Sequence, residues 1–329
     1  MKAIIDDKIP YIRGLIEQLV DEVVYLPGSA IGPSDVHDAD ILLVRTRTRC
    51  DRALLAGSQV RCIVTATIGY DHIDTDYMRE AGIVWTNCPG CNASSVRQYV
   101  HNSLLALDLL HEGMTVGVVG VGHVGSLVAD DLEQNGLHVL RCDPPNGLNI
   151  PMEVVAETCD IITFHTPLTT DGPCPTYHLA DDAFFRSLRR QPVIINSSRG
   201  AVVDNAAWLL AIRSGQVRAS IIDTWEGEPA INLELLQAAD IATPHIAGYS
   251  ADGKSNATRM TLEAVCQFLH KPFTLTVEPP ALPSDFAYGH ITTGPLRLYD
   301  PRIDSQKLKS HPEQFEWLRG NYPLRREKR

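Results

Sequence analysis

Arg199, Glu228 and His245 each follow a short apolar run, in the segments SSRG (197–200), WEGEP (225–229) and TPHIAGY (243–249). Arginine offers a planar, permanently charged fork that grips a carboxylate through two hydrogen bonds. Histidine is the natural proton acceptor near neutral pH. A glutamate beside it fixes the imidazole tautomer and favours the imidazolium. Together the three meet the demands of oxidising a 2-hydroxy acid: a cation for the carboxylate, a base for the hydroxyl proton and a group that orients the base. Each residue alone has a plainer reading, as a surface arginine, a loop histidine and a turn glutamate between Gly227 and Pro229. Their recurrence at three consecutive apolar runs outweighs it.

The hydride acceptor for such a reaction is legible upstream. Thr115 to Gly125 reads TVGVVGVGHVG, an apolar strand entering a turn of Gly120, Gly122 and Gly125 spaced as G-x-G-x-x-G, with a helix after it. Gly120 allows the tight turn, Gly122 lets backbone approach a pyrophosphate, and Gly125 lets the helix pack on its strand, with orphan N–H groups facing the anion. The next strand, His138 to Cys142, ends at Asp143, 23 residues past Gly120, where a carboxylate can take the ribose hydroxyls of NAD and repel the extra phosphate of NADP. NAD is therefore the expected cofactor.

Positioning these groups calls for a parallel sheet whose strands end on one edge. Strands are expected at Lys2–Asp6, Val23–Leu26, Ile41–Val44, Cys62–Ala66 and Val84–Thr86, and again at 161–164, 193–196, 220–222 and 241–242. Their alternation with amphipathic stretches marks βα units, and the loops at the carboxyl ends carry the polar residues. Tyr11 to Leu19 is expected as a helix opened by Pro10. Further helices are expected from Asn92 to about Leu110, from Asp204 as N-cap to Arg213 with Gly215 as stop, and from about Gly253 to Phe268. From Pro272 onward PP, LP, GP and YP pairs replace periodic apolar residues. There Leu296–Tyr299 could form a strand and Pro312–Gly320 a short helix.

The fold class is thus α/β, with two doubly wound parallel-sheet domains and a small C-terminal appendage. A flavodoxin-like substrate-binding (lid) domain is expected from residues 1–90 with 250–272, a Rossmann NAD domain from 91–249, and a dimerisation segment from 273–329. A chain of 329 residues exceeds one hydrophobic core, which agrees with two domains.

Bulk properties narrow the partners. A net charge of −11 argues against nucleic acid, since phosphate backbones are bound chiefly by lysine and arginine. No uninterrupted apolar window reaches membrane-span length, and the start MKAIIDDKIP lacks the pattern of a signal peptide, so no membrane partner and a cytoplasmic location are expected. Eight scattered cysteines form no disulfide framework. Cys88-Pro-Gly-Cys91 has no second pair to complete a zinc site; reduced thiols are the simpler reading, and no metal is expected.

The blocks SSRGAVVDNAAW, IIDTWEGEP and TPHIAGYS resemble the signatures of the D-isomer-specific 2-hydroxyacid dehydrogenases. IPY (9–11), LLVRTRT (42–48), VTATIGYDHID (64–74), PGCNA (89–93), CDPP (142–145), TFHTPLTTDGP (163–173), HLAD (178–181) and PEQFEWLRGNYPLRRE (312–327) extend the likeness toward members that act on a phosphorylated sugar acid. The resemblance implies Arg199 and Glu228 as active-site residues and His245 as the acid/base. It implies substrate contacts at Thr46, Thr67 and Tyr249. NAD contacts are implied at His123, Val124, Asp143, Thr166, Ser197, Ser198, Arg199, Asp223 and Gly248, and a homodimer as the assembly. Two departures stand out: Gln98 replaces a glutamate common in relatives, and Ser197-Ser198 replaces the more usual Ala-Ser or Ala-Cys.

A phosphorylated substrate needs further cations. Arg45 and Arg47 flank Thr46 and in an extended segment would point the same way. Arg325 or Arg326, in the basic run that ends with Lys328 and Arg329, is expected to reach this phosphate from a partner subunit. Two alternatives remain: another acid such as 3-phosphoglycerate or glycerate as substrate, or an NAD-sensing regulatory protein.

Overall fold

The computed structural model describes residues 1–291 and 293–327; Lys328 and Arg329 of the basic run lie outside the described residues. Contacts divide the chain into one unit of Met1–Asn92 with Ala251–Ala281 and a second of Ala93–Ser250 with Leu282–Arg329.

The first unit is built on β1 (Lys2–Asp6), β2 (Glu22–Leu26), β3 (Ile41–Val44), β4 (Cys62–Thr65) and β5 (Val84–Thr86). All pair in parallel, in the order β2-β1-β3-β4-β5. The central strand β3 is apolar throughout, and its neighbours β1 and β4 are apolar along their middle residues, because both faces are covered. Ile4, Leu42, Val44 and Ile63 face one core. Ala3, Ile5, Leu43 and Val64 face the other, with Leu262 and Val265 of the helix Ala251–Phe268 packed on them.

The second unit contains β6 (Thr115–Val119), β7 (His138–Asp143), β8 (Leu148–Asn149), β9 (Ile161–Phe164), β10 (Val193–Asn196), β11 (Ala219–Ile222) and β12 (Ile241–Ala242). Their order is β12-β11-β10-β9-β6-β7-β8, and among the described residues only the short β8 runs antiparallel. Alternation splits the strands between two cores: Ile162, Phe164, Ile194 and Ile222 on one face, Ile161, Val193, Ile195 and Ile221 on the other. Strand order reverses between β6 and β9, which opens a crevice beyond their carboxyl ends where ligands of such sheets bind. The fold is two doubly wound α/β units, as the sequence implies.

Two expected elements need correction. Tyr11–Leu19 is not a helix but a series of turns with one 3-10 turn at Ile16–Gln18. Tyr11 (φ 58°) and Gly14 (φ 80°) both adopt the left-handed conformation, which breaks a right-handed helix. Leu296–Tyr299 is not a strand, because Pro295–Arg297 closes into a 3-10 turn with proline in its first turn. The segment after it contains an unanticipated helix, Pro301–Ser310, with Pro301 at its start and the Asp300 side chain accepting from the Arg302 amide. Pro312–Gly320 is a 3-10 turn, Pro312–Gln314, continued by the helix Phe315–Gly320.

The Cys88 thiol is buried against the Ala257 carbonyl (3.4 Å) and the Thr261 hydroxyl (3.5 Å). Burial pushes its pKa up to about 11, the opposite of what a reactive thiol needs. All eight cysteines are free of disulfides.

Candidate active site

The glycine turn sits between the end of β6 and the helix His123–Gln134, with Gly122 as N-cap. A Cβ at Gly125 would lie 1.9 Å from the Gly120 carbonyl oxygen, so only glycine lets this helix start so close to its strand. A Cβ at Gly122 would meet nothing within 4 Å, which leaves the space a pyrophosphate requires. Asp143, at the end of β7, accepts hydrogen bonds through Oδ2 from the Val121 amide (2.7 Å) and the Asn146 side chain (2.8 Å). The carboxylate thereby ties its own strand end to the turn.

Beside the turn, at the ends of β9, β10 and β11, His165 Nδ1, Thr166 Oγ1, Ser197 Oγ and Thr224 Oγ1 are buried polar atoms without a hydrogen-bond partner among the described residues. Buried polar atoms are rarely left so, and a row of them along the carboxyl edge fits a hydrogen-bonding ligand such as NAD. Burial lowers the pKa of His165 to about 3, so this imidazole stays neutral, with Nε2 at 2.9 Å from Thr163 Oγ1. His123 is exposed and Val124 half-buried in the first turn of the helix.

Arg199 follows β10 on a loop organised by Asn196. The Asn196 Oδ1 accepts from the Ser198 amide (3.1 Å) and hydroxyl (2.9 Å), and its Nδ2 donates to the Arg199 carbonyl (2.9 Å). A Cβ at Gly200 would lie 2.0 Å from the Trp225 backbone, so glycine here lets the arginine loop press against the loop that carries Glu228. The half-buried Arg199 donates from Nη1 to the Ser198 carbonyl (2.9 Å).

Glu228 and His245 form the central pair. Glu228 Oε2 lies 2.8 Å from His245 Nδ1, and Oε1 accepts from the Trp225 amide at 2.8 Å. Burial by itself would raise the Glu228 carboxyl. The hydrogen bond and charge of His245, the Trp225 amide and the Arg319 cation outweigh it and hold the group below the usual range. An ionised Glu228 keeps the proton on Nδ1 and leaves Nε2 as the acceptor.

The loop carrying His245 is braced by Asp223, at the end of β11. Oδ1 accepts from the Thr243 hydroxyl (2.6 Å) and the Ile246 amide (2.8 Å), and Oδ2 from the Ala247 amide (2.9 Å). Both oxygens are therefore engaged in shaping this loop. Burial raises the pKa of Asp223. Gly248 and Tyr249 continue the loop, both half-buried, and the Arg319 Nε donates to the Tyr249 hydroxyl at 3.0 Å.

Of the expected substrate residues, Tyr249 lies in the second unit with Arg199, Glu228 and His245, and Arg45, Thr46, Arg47 and Thr67 lie in the first. Thr67 Oγ1 is 2.7 Å from Thr65 Oγ1 and donates to the Gly69 carbonyl (2.8 Å). The extended-strand argument for Arg45 and Arg47 fails, because the chain turns directly after β3. Arg45 reaches instead to the Lys8 carbonyl (3.2 Å), while Thr46 and Arg47 are exposed.

Arg325 is not available to a second subunit, since it is 0% exposed and hydrogen-bonded inside its own chain. Sequence reading also missed residues that support the site. His178 Nε2 contacts Glu226 Oε1 at 2.6 Å, while Glu226 Oε2 accepts from the Asn205 amide at 2.9 Å, which anchors the WEGEP loop. His178, Asp204 and Glu226 are near enough to suggest a metal site, but Asp204 and Glu226 each also accept backbone N–H groups. The signal for Asn196 lay in its place directly before the serines, for Glu226 in its place two residues before Glu228, and for Arg319 in its place within the block 312–327 that carries part of the resemblance.

Comparison with known proteins gives consistent results. Residues 93–247 match the family described as D-isomer specific 2-hydroxyacid dehydrogenase, NAD binding domain. The chain is 54% identical to an erythronate-4-phosphate dehydrogenase of Bacteroides fragilis, over 99% of this chain and 97% of that one. It is 42% identical to the Cronobacter sakazakii protein of the same name, over 99% and 92%. The fold resembles the D-lactate dehydrogenase of Aquifex aeolicus, whose structure holds NAD and lactic acid, with a TM-score of 0.67 at 22% identity over 82% and 96% of the two chains.

Proposed function

The chain belongs to the erythronate-4-phosphate dehydrogenase family, and from that membership we propose that it oxidises the 2-hydroxyl of 4-phospho-D-erythronate. The product is 2-oxo-3-hydroxy-4-phosphobutanoate, an intermediate on a route to pyridoxal 5′-phosphate. The observation that carries the chemistry is the 2.8 Å contact between Glu228 and His245 at the carboxyl edge of a dinucleotide-binding sheet.

Bound NAD would supply the acceptor for the hydride that leaves the carbinol carbon. Gly120, Gly122 and Gly125 would admit its pyrophosphate, Asp143 its ribose, and Thr166, Ser197 and Ser198 its remaining polar groups. Arg199 grips the substrate carboxylate and so fixes which carbon is presented. His245 Nε2 takes the hydroxyl proton, and Glu228 balances the imidazolium that results. Thr46, Thr67 and Tyr249 are assigned to the substrate, with Arg45 and Arg47 as cations for its phosphate.

The chain is further assigned to a homodimer, through the segment 273–329, whose Trp317 is 61% exposed on the helix Phe315–Gly320. Light scattering on the purified protein tests this. Among the described residues no helix is long and apolar enough to cross a membrane; a cytoplasmic location is part of the proposal.

The substrate assignment is tested by NADH formation with 4-phosphoerythronate, 3-phosphoglycerate, glycerate and erythronate in parallel. A strong preference for 4-phosphoerythronate supports the assignment. Better use of another acid moves the substrate within the family, and NAD binding without turnover favours a regulatory protein.

A further inference from the structure

We propose that Arg325, near the C-terminus, is a positioning residue that holds the His245 loop in its working geometry. The inference rests on the assignment of His245 as the acid/base.

The Arg325 guanidinium is completely buried. Its Nε donates to Gln98 Oε1 (2.9 Å), Nη2 to the Ser95 carbonyl (2.6 Å) and Nη1 to the Ile246 carbonyl (3.3 Å). One face lies on the Tyr299 ring, 3.7 Å from its centroid. Burying a charge is costly unless it is well compensated, so an arginine enclosed by carbonyls, an amide and a ring has a position fixed to suit those partners.

Ile246 is the residue after His245, and His245 has φ 56°, a left-handed conformation that non-glycine residues adopt only when their surroundings impose it. The peptide groups around Ile246 are gripped by opposite charges. The Asp223 carboxylate takes its N–H at 2.8 Å, and the Arg325 cation takes its C=O. The two contacts limit rotation of the backbone on which the imidazole stands.

The same tail holds the rest of the loop. Glu327 Oε1 accepts from the Ser250 hydroxyl (2.6 Å) and the Ser95 hydroxyl (2.7 Å), and Arg319 reaches Tyr249. Gln98 completes the arrangement: its Oε1 accepts from Arg325 and its Nε2 donates to the Arg326 carbonyl (3.0 Å). An ionised glutamate accepts only and could not do both.

The test uses the full-length protein carrying Arg325→Lys, which keeps the charge but lacks the fork that reaches Gln98, Ser95 and Ile246 together. The expected result is a kcat lower by roughly 10- to 100-fold with KM and NAD affinity within about threefold, the split that misplacement of a catalytic group produces. The His245 Cε1–H NMR resonance, assigned with His245→Asn, should move and titrate with a changed midpoint. In Arg325→Ala, added ethylguanidinium should restore part of kcat. The proposal is overturned by a His245 resonance and kcat that match the parent, by a kcat loss that only tracks the fraction unfolded, or by a KM effect alone. If Arg325→Ala does not fold, Arg325→Lys decides. If the parent turns over none of the acids, the functional assignment fails while the NMR readout still decides the positioning role.

Discussion

Glu228 and His245, 17 residues apart in the chain, meet through one 2.8 Å contact between Oε2 and Nδ1. Glu228 belongs to the loop after β11 and His245 to the loop after β12, so the pairing of these two parallel strands brings the carboxylate to the imidazole. A carboxylate held below its ordinary range remains charged through the neutral region, and with it the direction of the imidazole proton is fixed.

Replacing Glu228 by Gln keeps the shape and the ability to accept from Nδ1–H, but removes the charge that balances an imidazolium. The expected loss in kcat/KM is on the order of 10²-fold, with the acid limb of its pH profile moved to lower pH. An unchanged profile would show that the charge plays no part in proton transfer. The same depressed pKa has a stability consequence. The native contribution is present above the unfolded carboxyl range and is lost as pH falls through the native value, so Glu228→Gln should flatten the acid side of the stability curve.

Gly125→Ala places a methyl group 1.9 Å from the Gly120 carbonyl oxygen, where backbone must yield. Overpacking of this kind costs about 1–3 kcal/mol. Thermal unfolding should fall accordingly and NAD affinity with it. A variant with the parent's melting temperature and affinity would mean the helix can shift freely.

Asp143→Asn preserves the shape of the side chain that meets Val121 but removes its charge. NAD affinity should fall about tenfold, equivalent to ~1.4 kcal/mol, and use of NADP relative to NAD should rise. Steady-state kinetics with both cofactors measures it; an unaltered ratio would assign the discrimination elsewhere.

How far the molecule was legible follows from the kind of signal each part carries. Strands such as Ile161–Phe164 and Val193–Asn196 were legible because they are buried on both faces, and no polar residue interrupts them except one threonine and one terminal asparagine. Tyr11–Leu19 was misread because its apolar spacing imitates a helix, while the left-handed backbone of Tyr11, a non-glycine residue, is not announced by the local sequence. The helix Pro301–Ser310 was missed because few periodic apolar residues follow Pro272, though aspartate then proline is how a helix starts. That Arg199, Glu228 and His245 stand on the loops after β10, β11 and β12 was legible because each loop follows a short apolar run. Arg325, with Arg326 as the alternative, was assigned to a partner's phosphate pocket because an acidic chain has no other evident use for a basic end, and only the fold shows Arg325 bound to Ser95, Gln98 and Ile246.

Asp304 offers a test of the C-terminal segment's packing. It accepts hydrogen bonds from Tyr288 (2.9 Å) and Tyr322 (2.8 Å), and burial raises its pKa to about 6. A carboxyl whose native pKa lies above its unfolded value holds its proton more tightly when folded. Its stabilising effect is complete below about pH 4 and is lost as pH rises to about 6, a span of roughly 2–3 kcal/mol. Relative to Asp304→Asn, the parent should therefore lose stability across that window in calorimetry. Parallel curves for the two proteins would contradict the raised pKa of the buried Asp304.

The central claim is that His245 is the acid/base of an NAD-dependent dehydrogenase, and the most direct measurement is single-turnover NADH formation by the parent and His245→Asn with 4-phosphoerythronate, beside NAD binding by each. NAD affinity should match between the two, and the rate should be lower in the variant by about 10²–10⁴-fold. A variant that forms NADH within a few fold of the parent would contradict it.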